Sequence, residues 1–134
     1  MRICLVTPYD LSHDGGVNRH VITLAQALRR QHHDVRVLGP ASGDTPARCD
    51  GLPGVVPIRA NGSRARVGLL VSRAAVRRYL ELGRFDVVHV HEPWVPGLAR
   101  HAVMSSPAPL IGTFHSYTES ESWMEAATRR MLAR

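Results

Sequence analysis

The sequence predicts an α/β fold: a parallel sheet with helices on both faces. Three observations carry this. Short, nearly continuous apolar runs read as strands buried on both sides. Between them lie segments whose apolar residues recur at helical spacing. The two kinds alternate along the chain, and such alternation builds a parallel sheet covered on each face.

Taken in order, Ile3 to Val6 is the first strand, bounded by Pro8. A loop follows to Gly15. Val17, Val21, Leu24, Ala25 and Leu28 then recur at i, i+4, i+7, i+8 and i+11, one stripe of a helix. Asp34 to Leu38 is a second strand. Residues 39–53, rich in Gly, Pro, Ser and Asp, read as loop. Val55 to Arg59 is a short third strand, in which Pro57 argues for an edge position or irregular pairing. Ser72 opens a helix that Gly83 closes. Asp86 to His91 is the fourth strand. Val95 to Ser105 is a short helix with Pro96 in its first turn. Leu110 to Phe114 is the fifth strand. A last helical pattern sets Trp123, Ala127 and Met131 on one face.

Composition narrows the chemistry. The chain has 134 residues, 44% apolar and 21% charged, ordinary for one globular domain. All 17 basic residues are arginine, and the net charge is +6. Without lysine there is no phosphate-gripping P-loop lysine, no Schiff base and no lysine base. The guanidinium excess suits phosphate and carboxylate recognition. Cys4 and Cys49 form neither a metal pattern nor a disulfide framework; Cys4, in an apolar run, reads as a buried thiol. No apolar stretch approaches the ~20 residues that span a bilayer. Met1-Arg2 leads directly into a strand with no room for a signal peptide, so a cytoplasmic location is expected.

In such sheets ligands sit outside the carboxyl ends of the strands, where the strand order reverses. That point is expected between the first and fourth strands. Gly15-Gly16 stands between the first strand and its helix, where free N–H groups and the helix dipole favour a phosphate. A plain turn needing positive φ is the alternative. A dinucleotide fingerprint is missing: no G-x-G-x-x-G follows, and Leu38-Gly39-Pro40 ends the second strand without an acid. His89 and His91 share a strand face and Glu92 follows, which would begin a metal site, but no third ligand cluster presents itself. No metal is expected. His89 reads as an interior, hydrogen-bonded histidine, with His91 and Glu92 lining the cleft. His115, ending the fifth strand, is either a functional residue or a surface histidine. Asn61-Gly-Ser63 is a turn beside Arg64 and Arg66, which suggest an anion. In the helix from Ser72, Arg73, Arg77 and Arg78 fall within an arc of roughly 140°, with Arg77 and Glu81 as an i, i+4 pair. That face is either solvated or attracted to anionic lipid. Nucleic acid is not expected, because the few aromatics do not interleave with the arginines.

As an ordered set, Met1-Arg-Ile with Pro8-Tyr9, Gly15-Gly-Val17 with His20, Ala25 and Leu28, Val35-Arg-Val-Leu38, Asn61-Gly-Ser63 with Arg66, Asp86-Val-Val-His-Val-His-Glu-Pro93 and Thr113-Phe-His115 resembles the start of family-4 retaining glycosyltransferases. The nearest likeness is to the phosphatidylinositol mannosyltransferases, over about residues 1–115. The resemblance implies the N-terminal, Rossmann-like half of a two-domain GT-B enzyme, with residues 1–134 as a truncated acceptor-binding domain. The half that grips the nucleotide sugar would be absent, and these residues alone would not catalyse transfer. It implies no cofactor and no metal, a nucleotide-sugar donor (GDP-mannose in the nearest relatives), and a phospholipid or small polar acceptor. Gly15 and Gly16 would contact the donor diphosphate. His115 would lie beside the donor sugar and stabilise charge developing in the transition state. Tyr9, Asn18, Asn61, Ser63 and Arg66 would line the acceptor side, with Arg66 on an acceptor phosphate. Arg73, Arg77 and Arg78 would dock the enzyme on the inner face of the plasma membrane. Asn18 stands where Gln is usual and Ala60 where an aromatic is common, departures that bear on the acceptor. The alternative is a non-catalytic Rossmann-like module that binds an anionic ligand, a membrane or a partner.

Overall fold

A computed structural model of the chain describes residues 1–60 and 63–115. Its elements are β1 (Arg2–Val6), α1 (Gly16–Arg30), β2 (Asp34–Pro40), β3 (Cys49–Leu52), β4 (Val56–Ala60), β5 (Ser63–Val67), α2 (Arg73–Gly83), β6 (Val87–His91), α3 (Leu98–Ser105) and β7 (Leu110–Thr113). Five strands form one parallel sheet in the order β3-β2-β1-β6-β7. The order reverses between β1 and β6, as the sequence leads one to expect. The predicted helix around Trp123, Ala127 and Met131 lies outside the described residues.

Burial on both faces explains the unbroken apolar run of β1. Along β1, Ile3 and Leu5 face a core shared with Val35, Val37, Val21 and Ala25, the last two from α1. Cys4 and Val6 face the opposite core, with Val88 and Val90 of β6, Val76 and Leu80 of α2, and Leu98, Ala99 and Ala102 of α3. Side chains alternate across a strand, so a sheet covered on both faces needs an apolar residue at nearly every position. Cys4 is fully buried, as read from its apolar run.

Three boundaries differ from the sequence reading. Cys49–Leu52, read as loop, is strand β3, paired in parallel with Val37 to Pro40 of β2. Cys-Asp-Gly-Leu has little intrinsic strand preference; the neighbouring strand supplies the order. Cys49 is accordingly buried among the residues beneath α1. The predicted third strand exists as β4, but it stands outside the main sheet. It pairs antiparallel with β5, from Val56↔Val67 to Ala60↔Ser63. Asn61-Gly62 joins the two, a hairpin signal when set between strand-forming runs. Finally, α3 starts at Leu98 rather than Val95. Gly97 adopts φ 87°, and a Cβ there would lie 2.1 Å from the Gly68 carbonyl oxygen. The Leu98 N–H donates to that same oxygen at 3.0 Å. The preceding chain is thus turned away from helical geometry.

The β4–β5 hairpin is held by the segment that leaves β1. Tyr9 bridges Val67, the Asp10 N–H donates to the Arg66 carbonyl at 2.9 Å, and the Gly68 N–H donates to the Pro8 carbonyl at 3.0 Å. These bonds carry Arg66 to the ligand edge of the sheet.

Candidate active site

Three elements meet at the carboxyl edge where the strand order reverses. The first is the N-terminus of α1. Gly15 occupies the N-cap position at φ −167°, and no side chain caps the helix. Neither Gly15 nor Gly16 has positive φ, and a Cβ on either would meet nothing within 4 Å. A turn that demands glycine is therefore not the reason for this pair. With no side-chain cap, its first N–H groups are left for an anion. A cavity of about 320 Å³ opens beside it, lined by Tyr9, Asp10, Gly15, Gly16, Asn18 and Arg66 among others. That volume suits a small polar ligand.

The second element is the loop after β1. Asp10 is 2% exposed. Its Oδ1 accepts from the N–H groups of Ser12 (3.0 Å) and Ser42 (3.1 Å), and its Oδ2 from Ser42 Oγ (2.7 Å) and Arg66 Nε (3.0 Å). His13 Nδ1 lies 3.1 Å from the same oxygen. Burial pushes the carboxyl pKa upward, but the hydrogen bonds from Ser42, Ser12 and Arg66 outweigh it and hold the group well below the usual carboxylate range. Asp10 therefore aims Arg66, whose other N–H groups have no partner among the described residues. No motif marks Asp10 in the sequence, because Ser42 and Arg66 reach it only through the fold. Replacing Asp10 with Asn is expected to cost about 1.5–3 kcal/mol near neutral pH. The depressed pKa makes this contribution present above the unfolded carboxyl value and lost as pH falls. The difference between wild type and variant should thus shrink below about pH 4 in urea denaturation.

Asn18 lies in the cavity wall but its amide is committed inward. Oδ1 accepts from Thr7 Oγ1 at 2.7 Å, and Nδ2 donates to the Asp10 carbonyl at 2.9 Å. It ties α1 to the loop. Tyr9 is half-buried; its phenol pKa is raised by burial and then by the Glu92 carboxylate. Asn61 lies outside the described residues, and Ser63 opens β5.

The third element is a column of imidazoles. His91, the last residue of β6, pairs with Thr113 of β7, and His115 lies two residues further on the same face. The rings of His89 and His91 stack with centroids 4.4 Å apart, and those of His91 and His115 at 5.1 Å. His20, one turn along α1 from Gly16, sets its ring edge-on to both His91 and His115. His91 Nδ1 lies 2.8 Å from His115 Nε2. His89 Nε2 lies 2.7 Å from Thr113 Oγ1, so it is the interior, hydrogen-bonded histidine that was expected.

His91 and Glu92 do not line the cleft as the sequence suggests. They are 0% and 5% exposed and stand behind His115. Glu92, at φ 50°, takes the backbone N–H of His115 on Oε1 at 2.5 Å, and its own N–H donates to the Thr113 carbonyl at 2.8 Å. Burial, then neighbouring His89 and His115, presses the His91 pKa down to about 3, so the ring is neutral at physiological pH. His115 is exposed at the front. The missing third ligand also has an answer: His20, His91 and His115 bring ring nitrogens within 4.8 Å of one another from three separate elements. His91 Nδ1 and His115 Nε2 already lie at hydrogen-bond distance, 2.8 Å, a contact that a metal using either atom would have to break.

On α2, Ser72 Oγ accepts from the Ala75 N–H at 3.3 Å and so caps the helix. Arg73, Arg77 and Arg78 are exposed, and Arg77 pairs with Glu81 at 3.8 Å. This helix lies apart from the residues that line the cavity. No helix among the described residues is long and apolar enough to cross a membrane.

A family model described as Glycosyltransferase Family 4 matches residues 14–134. The chain is 40% identical over 121 residues to a phosphatidyl-myo-inositol mannosyltransferase of Mycobacterium leprae, covering 88% of this chain and 32% of that protein. It is 35% identical over 147 residues to the protein of the same name from Propionibacterium freudenreichii, covering 100% of this chain and 39% of the relative. The counterpart in Mycolicibacterium smegmatis is 40% identical over 121 residues, 88% of this chain and 31% of the relative. The chain thus spans about a third of the length of the curated relatives it matches. With the family model matching residues 14–134, from the loop before α1 onward, the chain belongs to glycosyltransferase family 4.

Proposed function

We propose that this chain is the acceptor-side half of a retaining glycosyltransferase, one that moves mannose from a nucleotide sugar to a phospholipid or small polar acceptor. The observation that carries the reading is the uncapped N-terminus of α1 at Gly15-Gly16, with Arg66 on one side of it and His115, by way of His20, on the other. In this reading the donor diphosphate lies on the helix N–H groups, where the dipole favours its charge. His115 lies beside the sugar as the bond from the anomeric carbon to the diphosphate oxygen breaks and the bond to the acceptor oxygen forms. Arg66, aimed by Asp10, meets an acceptor phosphate as a charge-assisted hydrogen-bond donor. GDP-mannose is the donor the resemblance implies, and no cofactor is required.

The relatives' names support a phosphatidylinositol acceptor. The nucleotide is assigned to a second half, so residues 1–134 by themselves are expected not to turn over. The test is a panel of nucleotide sugars offered to the intact protein with phosphatidylinositol vesicles. Consumption of GDP-mannose with formation of a mannosylated lipid is the expected result. If no nucleotide sugar is consumed, the reading fails and the non-catalytic binding module takes its place.

The exposed arginines of α2, with Leu70 and Leu82 exposed nearby, support docking on an anionic inner leaflet. Each arginine near such a surface contributes on the order of 1 kcal/mol. Changing Arg77 and Arg78 to Glu should therefore weaken co-sedimentation with anionic vesicles at low salt by at least about 20-fold. Equal binding by the variant would remove α2 from the membrane face.

A further inference from the structure

The contact between His91 and His115 has two possible protonation patterns, and burial distinguishes them. His91 is fully buried, and its Nε2 has no hydrogen-bond partner among the described residues. Its Nδ1 faces His115 Nε2 at 2.8 Å, so one proton lies between the two nitrogens. A neutral imidazole carries a single N–H. If His115 supplied the shared proton, the one N–H of His91 would be the buried, unpartnered Nε2. If His91 supplies it, Nε2 is left with only an unpartnered lone pair. Orphaned buried N–H groups are rarer than under-satisfied acceptors.

We propose that His91 is a positioning residue: it donates its Nδ1–H to His115 Nε2 and so leaves the ring proton of neutral His115 on the outward nitrogen, Nδ1. That nitrogen has no partner among the described residues, and the side chain is exposed at the ligand edge. His115 is then a hydrogen-bond donor to a ligand oxygen and cannot accept a proton at that atom. The surroundings hold this state. His89 stacks on His91 from behind, anchored to Thr113; His20 closes the side; and Glu92 fixes the backbone of His115. The tautomer assignment rests on geometry within this chain alone; its catalytic consequence rests on the glycosyltransferase reading.

The experiment uses the intact protein with ¹⁵N-labelled histidine, the His115 signals being assigned by their loss in His115→Gln. Expected are a protonated Nδ1 and an unprotonated Nε2 for neutral His115. In His91→Asn, whose amide N–H takes the place of the Nδ1–H, this pattern and most of the turnover persist. In His91→Phe the pattern gives way to a mixture of tautomers, and kcat falls on the order of 10²-fold with the donor KM little changed. A wild-type His115 protonated on Nε2 would overturn the proposal. So would equal losses of turnover in the Asn and Phe variants with an unchanged tautomer, since that is what a purely structural role predicts. If His91→Phe does not fold, the wild-type spectrum and His91→Asn decide. If His115→Gln keeps full turnover, the catalytic consequence is lost, whereas the tautomer result stands or falls on the spectrum.

Discussion

Replacing His115 with Ala in the intact protein is expected to lower turnover by about 10²–10³-fold, the cost of removing one preorganised hydrogen-bond donor from a site of developing charge. The loss should fall on kcat more than on the donor KM, because the interaction strengthens as the transition state forms. The fold should survive. His115 is exposed, and its ring makes one hydrogen bond within the described residues, to His91 Nδ1. The Glu92 contact is to the backbone N–H, which alanine keeps. A stability loss of about 1 kcal/mol covers the missing ring hydrogen bond. Steady-state kinetics beside a thermal unfolding curve separates the two effects, and turnover equal to wild type would remove His115 from the mechanism.

Gly16 offers the complementary case, in which stability and function move in opposite directions. It is the first residue of α1, lacks positive φ, and has nothing within 4 Å of the place a Cβ would occupy. Gly16→Ala should raise stability by about 0.4–1 kcal/mol, because the unfolded chain loses freedom that the folded chain does not use. With a diphosphate seated on the helix N-terminus, the same methyl group intrudes on the ligand. An overpacking cost of about 1–3 kcal/mol corresponds to a donor affinity lower by roughly 5- to 150-fold. The measurements are urea denaturation without ligand and calorimetric titration of the intact protein with the nucleotide sugar. A variant that is more stable and binds donor normally would move the diphosphate elsewhere.

Much of this architecture is legible without coordinates. Strands β1, β2 and β6 were readable because a parallel sheet buried on both faces demands nearly continuous apolar runs, and few other structures do; β7 was readable from its apolar Leu110-Ile111, although its residues are largely exposed. Helices α1 and α2 were readable from their stripes, and α2 also from its end at Gly83. The reversal of strand order followed from the usual topology, and with it came the ligand edge, Gly15-Gly16 and His115. Strand β3 was not readable, since Cys-Asp-Gly-Leu becomes a strand only beside β2. The hairpin was half-readable: Asn61-Gly62 is a turn signal, but nothing local says that the arms leave the main sheet.

The amino-acid sequence alone determined the fold class, the carboxyl edge where the strand order reverses and the candidate residues placed there, because those follow from periodicity and from local backbone chemistry. Tertiary structure decided which of those residues face the cavity and which stand behind them. His91 and Glu92 occupy the end of a strand, and a strand sheltered on both faces carries no alternation to tell its inside from its rim. Asp10 gains its role only when Ser42 and Arg66, 32 and 56 positions away, converge on one carboxylate. The column of His20, His89, His91 and His115 likewise draws on α1, β6 and the end of β7. Such convergence costs chain entropy that no local segment recovers, so only the packed sheet can hold it.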